Sequence, residues 1–110
     1  MLFVASDEQF ENVTAALGQN VTFSAKSDVA VEWRFKKVDL IANARGVRKP
    51  FASKFSVAKG GGRYNLTLHI MSLSDLGEYS CAGVDGASII KRFKLIQGNF
   101  QYILLLYKLT

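Results

Sequence analysis

The chain has few of the residues that build metal sites, redox sites and catalytic centres. Its 110 residues include one cysteine, Cys81, and one histidine, His69. A structural zinc site needs about four such ligands, so the sequence predicts no metal site and implies no cofactor. A Ser–His–Asp or Cys–His pair would have to use His69, which strand alternation places on an outward position, and no convincing pair of carboxylates is present. We therefore expect that the protein is not an enzyme.

Long hydrophobic runs are also missing. The apolar stretches near the two ends, residues 1–6 and 102–107, are far shorter than the ~20 residues that cross a bilayer. Two interpretations remain open: the chain is a fragment of a longer protein, or these ends are not targeting signals. We expect membrane association only through segments that this sequence does not contain, and we assign residues 98–110 to an apolar C-terminal tail of unknown role.

The sequence also lacks a concentrated run of charge. The net charge is +5, but no run of five or more like charges occurs. There is also no basic-and-aromatic motif of the RNA-binding kind, so we do not expect nucleic acid as a partner. The charge is consistent with a mildly basic, solvated surface, or with an acidic partner such as an acidic protein face or a sialylated glycan.

What the chain does have is apolar residues that alternate with polar ones, which is the signal of β-strands. The pattern predicts strands at residues 21–25, 29–36, 39–43, 51–57, 63–70, 78–84 and 87–96. The inward side chains predicted for the second and fifth of these are Val29, Val31, Trp33, Phe35, Tyr64, Leu66, Leu68 and Ile70. Pro50 stands at a predicted strand start, and residues 60–62 and 85–86 form the turns of two hairpins. No segment has a helical period, so we predict one antiparallel β-sandwich.

Three Asn-x-Thr sequons indicate the secretory pathway. They begin at Asn12, Asn20 and Asn65, and none has proline in the middle position. We predict glycosylation at all three asparagines and a cell-surface or secreted protein. The alternative is that the sequons are accidental in a cytosolic protein.

The segment D-L-G-E-Y-S-C, residues 75–81, resembles the D-x-G-x-Y-x-C motif of immunoglobulin domains. Upstream, residues 18–25 resemble the second strand of that family, and Trp33 resembles its core tryptophan. The resemblance covers residues 8–97 and implies an all-β, immunoglobulin-like antiparallel β-sandwich of the V-type. It also implies that the Tyr79 hydroxyl is bonded to nearby backbone, in the tyrosine corner of this fold.

The same resemblance implies that the inter-sheet disulfide is absent. Ala25 occupies the position at which the family has the partner of Cys81, so Cys81 is expected to be a buried free thiol. Such a bridge typically contributes about 2–5 kcal/mol, which hydrophobic packing must replace here. The alternative is that Cys81 pairs with another chain or acts as a nucleophile. The expected structural core comprises Ala25, Trp33, Leu68, Asp75, Tyr79 and Cys81, packed with Phe23, Phe35, Leu66 and Phe93.

Three further segments resemble one group within this family. This group is the signalling lymphocytic activation molecule group of lymphocyte adhesion receptors, and the similarity is to its N-terminal V-type domains. It extends over residues 31–42, 66–79 and 89–97, and those domains also commonly lack the bridge. The resemblance implies a cell-surface immune recognition and adhesion module that binds another immunoglobulin-type receptor, homophilic binding included. Two alternatives are a disulfide-free structural domain of an intracellular cytoskeletal protein and a soluble decoy form of an immune receptor.

A binding face follows from the positions of the sequons. We expect all three on or beside one sheet, because Asn65 points outward on the fifth strand, Asn20 begins the second and Asn12 lies near the first. Glycans would block that sheet, so the opposite sheet is expected to bind the partner, with its charges providing steering and specificity. The predicted binding face comprises Glu32, Arg34, Lys36, Ser80, Ala82, Arg92 and Lys94.

Overall fold

The computed structural model describes residues 10–84 and 88–98, and these form two β-sheets packed face to face. The strands are β1 (Glu11–Ala15), β2 (Val21–Lys26), β3 (Val31–Phe35), β4 (Asp39–Asn43), β5 (Gly46–Val47), β6 (Phe55–Gly60), β7 (Arg63–Leu68), β8 (Gly77–Gly83) and β9 (Ile89–Gln97). Two short 3-10 helices, Lys49–Phe51 and Leu73–Asp75, precede β6 and β8.

The larger sheet has six strands in the order β1-β9-β8-β3-β4-β5, and the smaller sheet has three in the order β2-β7-β6. All neighbouring strands are antiparallel except β1 and β9, which run parallel. This arrangement confirms the predicted all-β sandwich.

The core lies between the two sheets and includes most of the inward side chains that alternation predicted. Phe23 of β2 stacks on Tyr79 of β8, with ring centroids 4.6 Å apart, and also packs against Phe93 of β9 at 5.2 Å. Trp33 lies 5.8 Å from Phe93, and Phe35 lies 4.8 Å from Tyr79. Aromatic contacts therefore connect the two sheets, and such pairs contribute beyond the area that they bury.

Alternation overestimated the length of three strands. Val29 lies outside β3 and its side chain is 48% exposed, while Ile70 follows β7 and is 68% exposed. Ile70 also has φ +54°, so the chain leaves the extended conformation there. The predicted strand at 51–57 begins only at Phe55, because Pro50 fixes a backbone angle suited to the first turn of a helix and opens a 3-10 turn instead. These inward and strand assignments were wrong.

The glycine turn at residues 60–62 is confirmed. Gly61 and Gly62 have φ of +59° and +78°, which suit the tight turn between β6 and β7 and which other residues adopt at a cost. The predicted turn at 85–86 and, apart from Gly98, the predicted tail at 98–110 lie outside the described residues.

Candidate functional site

The outward side of β3, β8 and β9, called here the charged face, brings together most of the predicted binding residues. Ser80 of β8 is in register with Arg34 of β3 and with Arg92 of β9, so the three form one row across three strands. Glu32 lies opposite Ala82 in the next row. A shallow depression of about 390 Å³ covers these rows and is lined by Glu32, Arg34, Lys37, Glu78, Ser80, Ala82, Ser88, Ile89 and Arg92.

Positive charge exceeds negative charge in this depression. Its cations are Arg34, Lys37 and Arg92, and its carboxylates are Glu32 and Glu78. Arg34 Nη2 donates to Glu32 Oε2 at 2.9 Å, and the two side chains are 35% and 17% exposed. This pair holds the Arg34 guanidinium beside Glu32, and the depression as a whole has one more cation than it has carboxylates.

One carboxylate oxygen in the depression lacks a donor. Glu78 Oε2 is buried and has no hydrogen-bond partner within residues 10–84 and 88–98. Buried polar atoms in folded proteins nearly always have a partner, and an unpaired one carries a free-energy cost.

The two remaining predicted residues, Lys36 and Lys94, lie apart from the depression. Lys94 is exposed on β9, in register with Glu78 of β8 and Asn12 of β1. Lys36 was predicted to continue β3, but β3 ends at Phe35 and Lys36 has φ +52°. Its ammonium lies 5.2 Å from the centre of the Phe35 ring. Lys37, which sequence reasoning did not select, lines the depression instead.

The expected grouping of the sequons was wrong. Asn65 is on β7 in the middle of the smaller sheet, and Asn20 immediately precedes β2, as predicted. Asn12, however, is on β1, which pairs with β9 and is an edge of the larger sheet. The sheet that carries the charged face therefore also carries a sequon, and the parallel pairing of β1 with β9 is the reason.

The corner motif has the predicted geometry. Tyr79 Oη donates to the Asp75 carbonyl at 2.7 Å, and burial raises the pKa of the Tyr79 hydroxyl well above its usual value. Ser72 N donates to Asp75 Oδ2 at 2.8 Å, and Lys54 Nζ is also 2.8 Å from that oxygen. Burial of the Asp75 carboxyl raises its pKa, but the hydrogen bonds from Lys54 and Ser72 outweigh this and leave the pKa below its ordinary value. Sequence reasoning did not identify Lys54 as the partner of Asp75.

Comparison with known proteins supports the fold but gives no close relative. No family model and no curated protein matches the sequence. Among solved structures, the chain is similar to one in the crystal structure of Dpr11 IG1 bound to DIP-gamma IG+IG2, with a TM-score of 0.70 and 19% identity. The match covers 82% of this chain and 100% of that one. The fold is an immunoglobulin-like β-sandwich.

Immunoglobulin-like folds typically have no enzymatic activity, and the described residues contain little that resembles a catalytic centre. They hold no group of three or more His, Cys, Asp or Glu side chains that could bind a metal ion. His69 Nε2 lies 2.9 Å from Ser56 Oγ, yet no carboxylate contacts that ring within the described ranges. A search of the same ranges for a helix long and apolar enough to cross a membrane found none.

The immunoglobulin-like sandwich has no bridge between its sheets, as predicted. Ala25 of β2 and Cys81 of β8 are both in the core, 1% and 0% exposed, and Cys81 is a free thiol. Burial raises the pKa of this thiol to about 12, so the reactive thiolate is scarce at neutral pH. Full burial and a raised pKa disfavour the alternative in which Cys81 is a nucleophile or bonds to another chain.

A polar contact between the sheets lies beside the missing bridge, and sequence reasoning did not identify it. Lys91 of β9 is in register with Cys81, and its Nζ donates to the Ser24 carbonyl of β2 at 3.4 Å. The ammonium also lies 2.6 Å from Glu11 Oε1 of β1 and 5.2 Å from the centre of the Phe93 ring. The sequence did contain evidence for this contact, because the alternation that directs Phe93 toward the core directs Lys91 to the same side of β9.

Proposed function

We propose that the protein is a cell-surface or secreted recognition module that binds another immunoglobulin-type protein through the charged face. The observation that carries the proposal is the depression on β3, β8 and β9, where the cations Arg34, Lys37 and Arg92 lie together with the carboxylates Glu32 and Glu78. Charges in such a place accelerate association and select the partner more than they add affinity. The excess of cations suits a partner whose complementary surface is acidic.

The arrangement of the larger sheet supports a V-type assignment. β4 and β5 extend the sheet beyond β3, and this extension distinguishes variable-type from constant-type immunoglobulin domains. Together with the segments that resemble the signalling lymphocytic activation molecule group, it favours an adhesion receptor of the immune system. The similar solved chain comes from a complex between immunoglobulin domains, which supports a partner of the same kind, a second copy of this chain included.

The missing bridge favours a second candidate. A disulfide-free immunoglobulin domain is also suited to a structural role inside the cell, where disulfides rarely persist. The sequons distinguish the two candidates. We expect glycosidase treatment of protein made in secretory cells to increase its electrophoretic mobility, and an unchanged mobility would favour the cytoskeletal role.

Charge reversal on the charged face tests the main proposal. The probe is a panel of soluble immunoglobulin-type ectodomains, with this chain itself as one member, immobilised and titrated with the folded domain. For any member that binds, we expect Arg34→Glu combined with Arg92→Glu to reduce affinity at least tenfold, because both changes place carboxylates in a surface that attracts acidic groups.

The control carries the same change in charge on the other sheet. Lys26 and Arg63 are a register pair of β2 and β7, and Lys26→Glu with Arg63→Glu should leave binding unchanged. Circular dichroism of both variants verifies that the fold is retained. If the control reduces binding as much as the Arg34 and Arg92 variant, the charged face is not the site.

A further inference from the structure

Asn12 is exposed on the same side of the larger sheet as the charged face. Val13 and Ala15 of β1 turn toward the core, Val13 half-buried and Ala15 buried, so alternation directs Asn12 and Thr14 outward, and both are exposed. Asn12 is in register with Lys94, and Lys94 is in register with Glu78. The acceptor asparagine of this sequon therefore occupies the same row as Lys94 and Glu78.

Distances across the sheet limit what a glycan at Asn12 would cover. Neighbouring strands are about 4.8 Å apart, so β9 is one step from β1, β8 is two steps, and β3 is three steps or about 14 Å. An N-linked glycan is bulky and solvated, and its first sugars would lie over the nearest strand. Lys94 on β9 is closest to it, and Glu32 and Arg34 on β3 are farthest.

We propose that an N-linked glycan at Asn12 forms one border of the charged face. It shields Lys94 and restricts the partner to the part of the charged face that holds the depression. The proposal rests on the proposed function for its biological meaning, but the shielding itself depends only on the position of Asn12. The glycan makes the accessible surface smaller than the sheet and excludes partners that need contact with β1 and with Lys94.

The other two sequons provide controls, because both are placed with the smaller sheet. Asn65 is on the middle strand β7, and Asn20 precedes β2 and accepts a hydrogen bond from Ile70 N at 3.0 Å. A glycan at Asn65 would lie on the opposite side of the sandwich from Lys94. Removing it should therefore leave the reactivity of Lys94 unchanged.

The test compares lysine accessibility in protein made in secretory mammalian cells, with and without the sequon. Peptide mass spectrometry gives the occupancy of Asn12 in the unmodified sequence, and a bulky amine-reactive biotin ester gives the labelling rate of each lysine. We expect Asn12 to be occupied and Thr14→Ala to increase labelling of Lys94 several-fold. Lys49, which is exposed in the 3-10 helix Lys49–Phe51, should be labelled at the same rate in both proteins.

Matched variants separate the glycan from the substitution. Asn12→Gln should reproduce the effect of Thr14→Ala, Asn65→Gln should not, and the same variants made in bacteria, which lack this glycosylation, should all be labelled equally. An unoccupied Asn12, or equal labelling of Lys94 with and without the glycan, would overturn the proposal. None of these measurements uses a counter-receptor, so equal labelling of Lys94 would overturn this proposal and leave the proposed binding through the charged face untouched.

Discussion

Restoring the missing bridge is the most direct test of how the sandwich is held together. Ala25 and Cys81 face the core from different sheets, and both are almost completely buried. The family pattern places the two sulfurs of the bridge at these positions. We therefore expect Ala25→Cys to form a disulfide with Cys81 inside the otherwise unchanged fold.

The size of the effect follows from the length of the closed loop. From position 25 to position 81 the loop has about 57 residues, for which the chain-entropy relation gives about 4 kcal/mol at 25 °C. Strain in the folded state reduces this value, so it is an upper limit. At about 4 °C per kcal/mol for a domain of this size, the midpoint of thermal unfolding should increase by up to roughly 15 °C.

The assay compares the oxidised and reduced forms of one variant, which removes the effect of the larger side chain from the comparison. The bridge should be formed during refolding in a glutathione buffer, because burial raises the pKa of Cys81 to about 12 and makes the folded thiol unreactive. Thiol titration in denaturant gives the fraction bridged, and circular dichroism gives the midpoints. Ala25→Ser, refolded in the same buffer, controls for a polar atom at this position.

Two results would refute this reasoning. If the variant refolds to the native spectrum with both thiols free, residues 25 and 81 do not face each other as the sheet packing requires. The second result is a bridge that forms without raising the midpoint of thermal unfolding of the oxidised form above that of the reduced form. In that case the core has no room for an unstrained disulfide at these positions, and the aromatic contacts hold the two sheets at a different spacing.

Three further predictions concern the polar contacts around the core. Tyr79→Phe removes the hydroxyl that donates to the Asp75 carbonyl and should reduce the free energy of unfolding by about 1–2 kcal/mol in urea titrations, and an unchanged midpoint would contradict a role for the corner bond. Lys91→Met keeps the aliphatic stem but removes the ammonium that donates to Ser24. We expect the free energy of unfolding to decrease by about 1 kcal/mol at low salt and by less at high salt. Equal decreases at both salt concentrations would mean that the ammonium is not responsible. The pKa of Asp75 is lower in the folded chain than the ordinary value of about 4, so the unfolded chain binds more protons near that pH and the carboxylate stabilises the fold only above it. The stability of wild type relative to Asp75→Asn should therefore be greatest at neutral pH and decrease as pH falls below about 4. A pH-independent difference would mean that the contact between Asp75 and Lys54 does not stabilise the fold.

Sequence reasoning predicted the middle of strands better than their ends. Phe23, Leu66 and Leu68 are buried as the alternation requires, because period-two spacing directly encodes which side of a strand faces the core. The same rule fails at Val29, which precedes β3, and at Ile70, where the backbone has already left the extended conformation. Nothing in the alternation of side chains marks where a strand begins or ends, since this depends on the adjoining loop.

The candidate site was predicted in part, for a similar reason. Arg34, Ser80 and Arg92 come together because antiparallel neighbours follow from the recognised strand order. Lys37 was missed because it lies in a turn, where no alternation applies. Asn12 was placed on the wrong sheet because a parallel pairing between two strands far apart in the sequence leaves no local signal.

The parallel contact between β1 and β9 has a consequence for how the chain is made. It joins the first and last strands of the described residues, whereas the strands of the smaller sheet all lie between Val21 and Leu68. On a ribosome that adds about 5–20 residues per second, all three strands of the smaller sheet would emerge before β9, the strand with which β1 pairs. The larger sheet can complete that edge only after synthesis has passed Gln97, and such long-range pairing is the slow kind. Closure of the domain is therefore expected to be a late event, in which the nascent N-terminal strand remains unpaired until nearly all of the described chain has emerged.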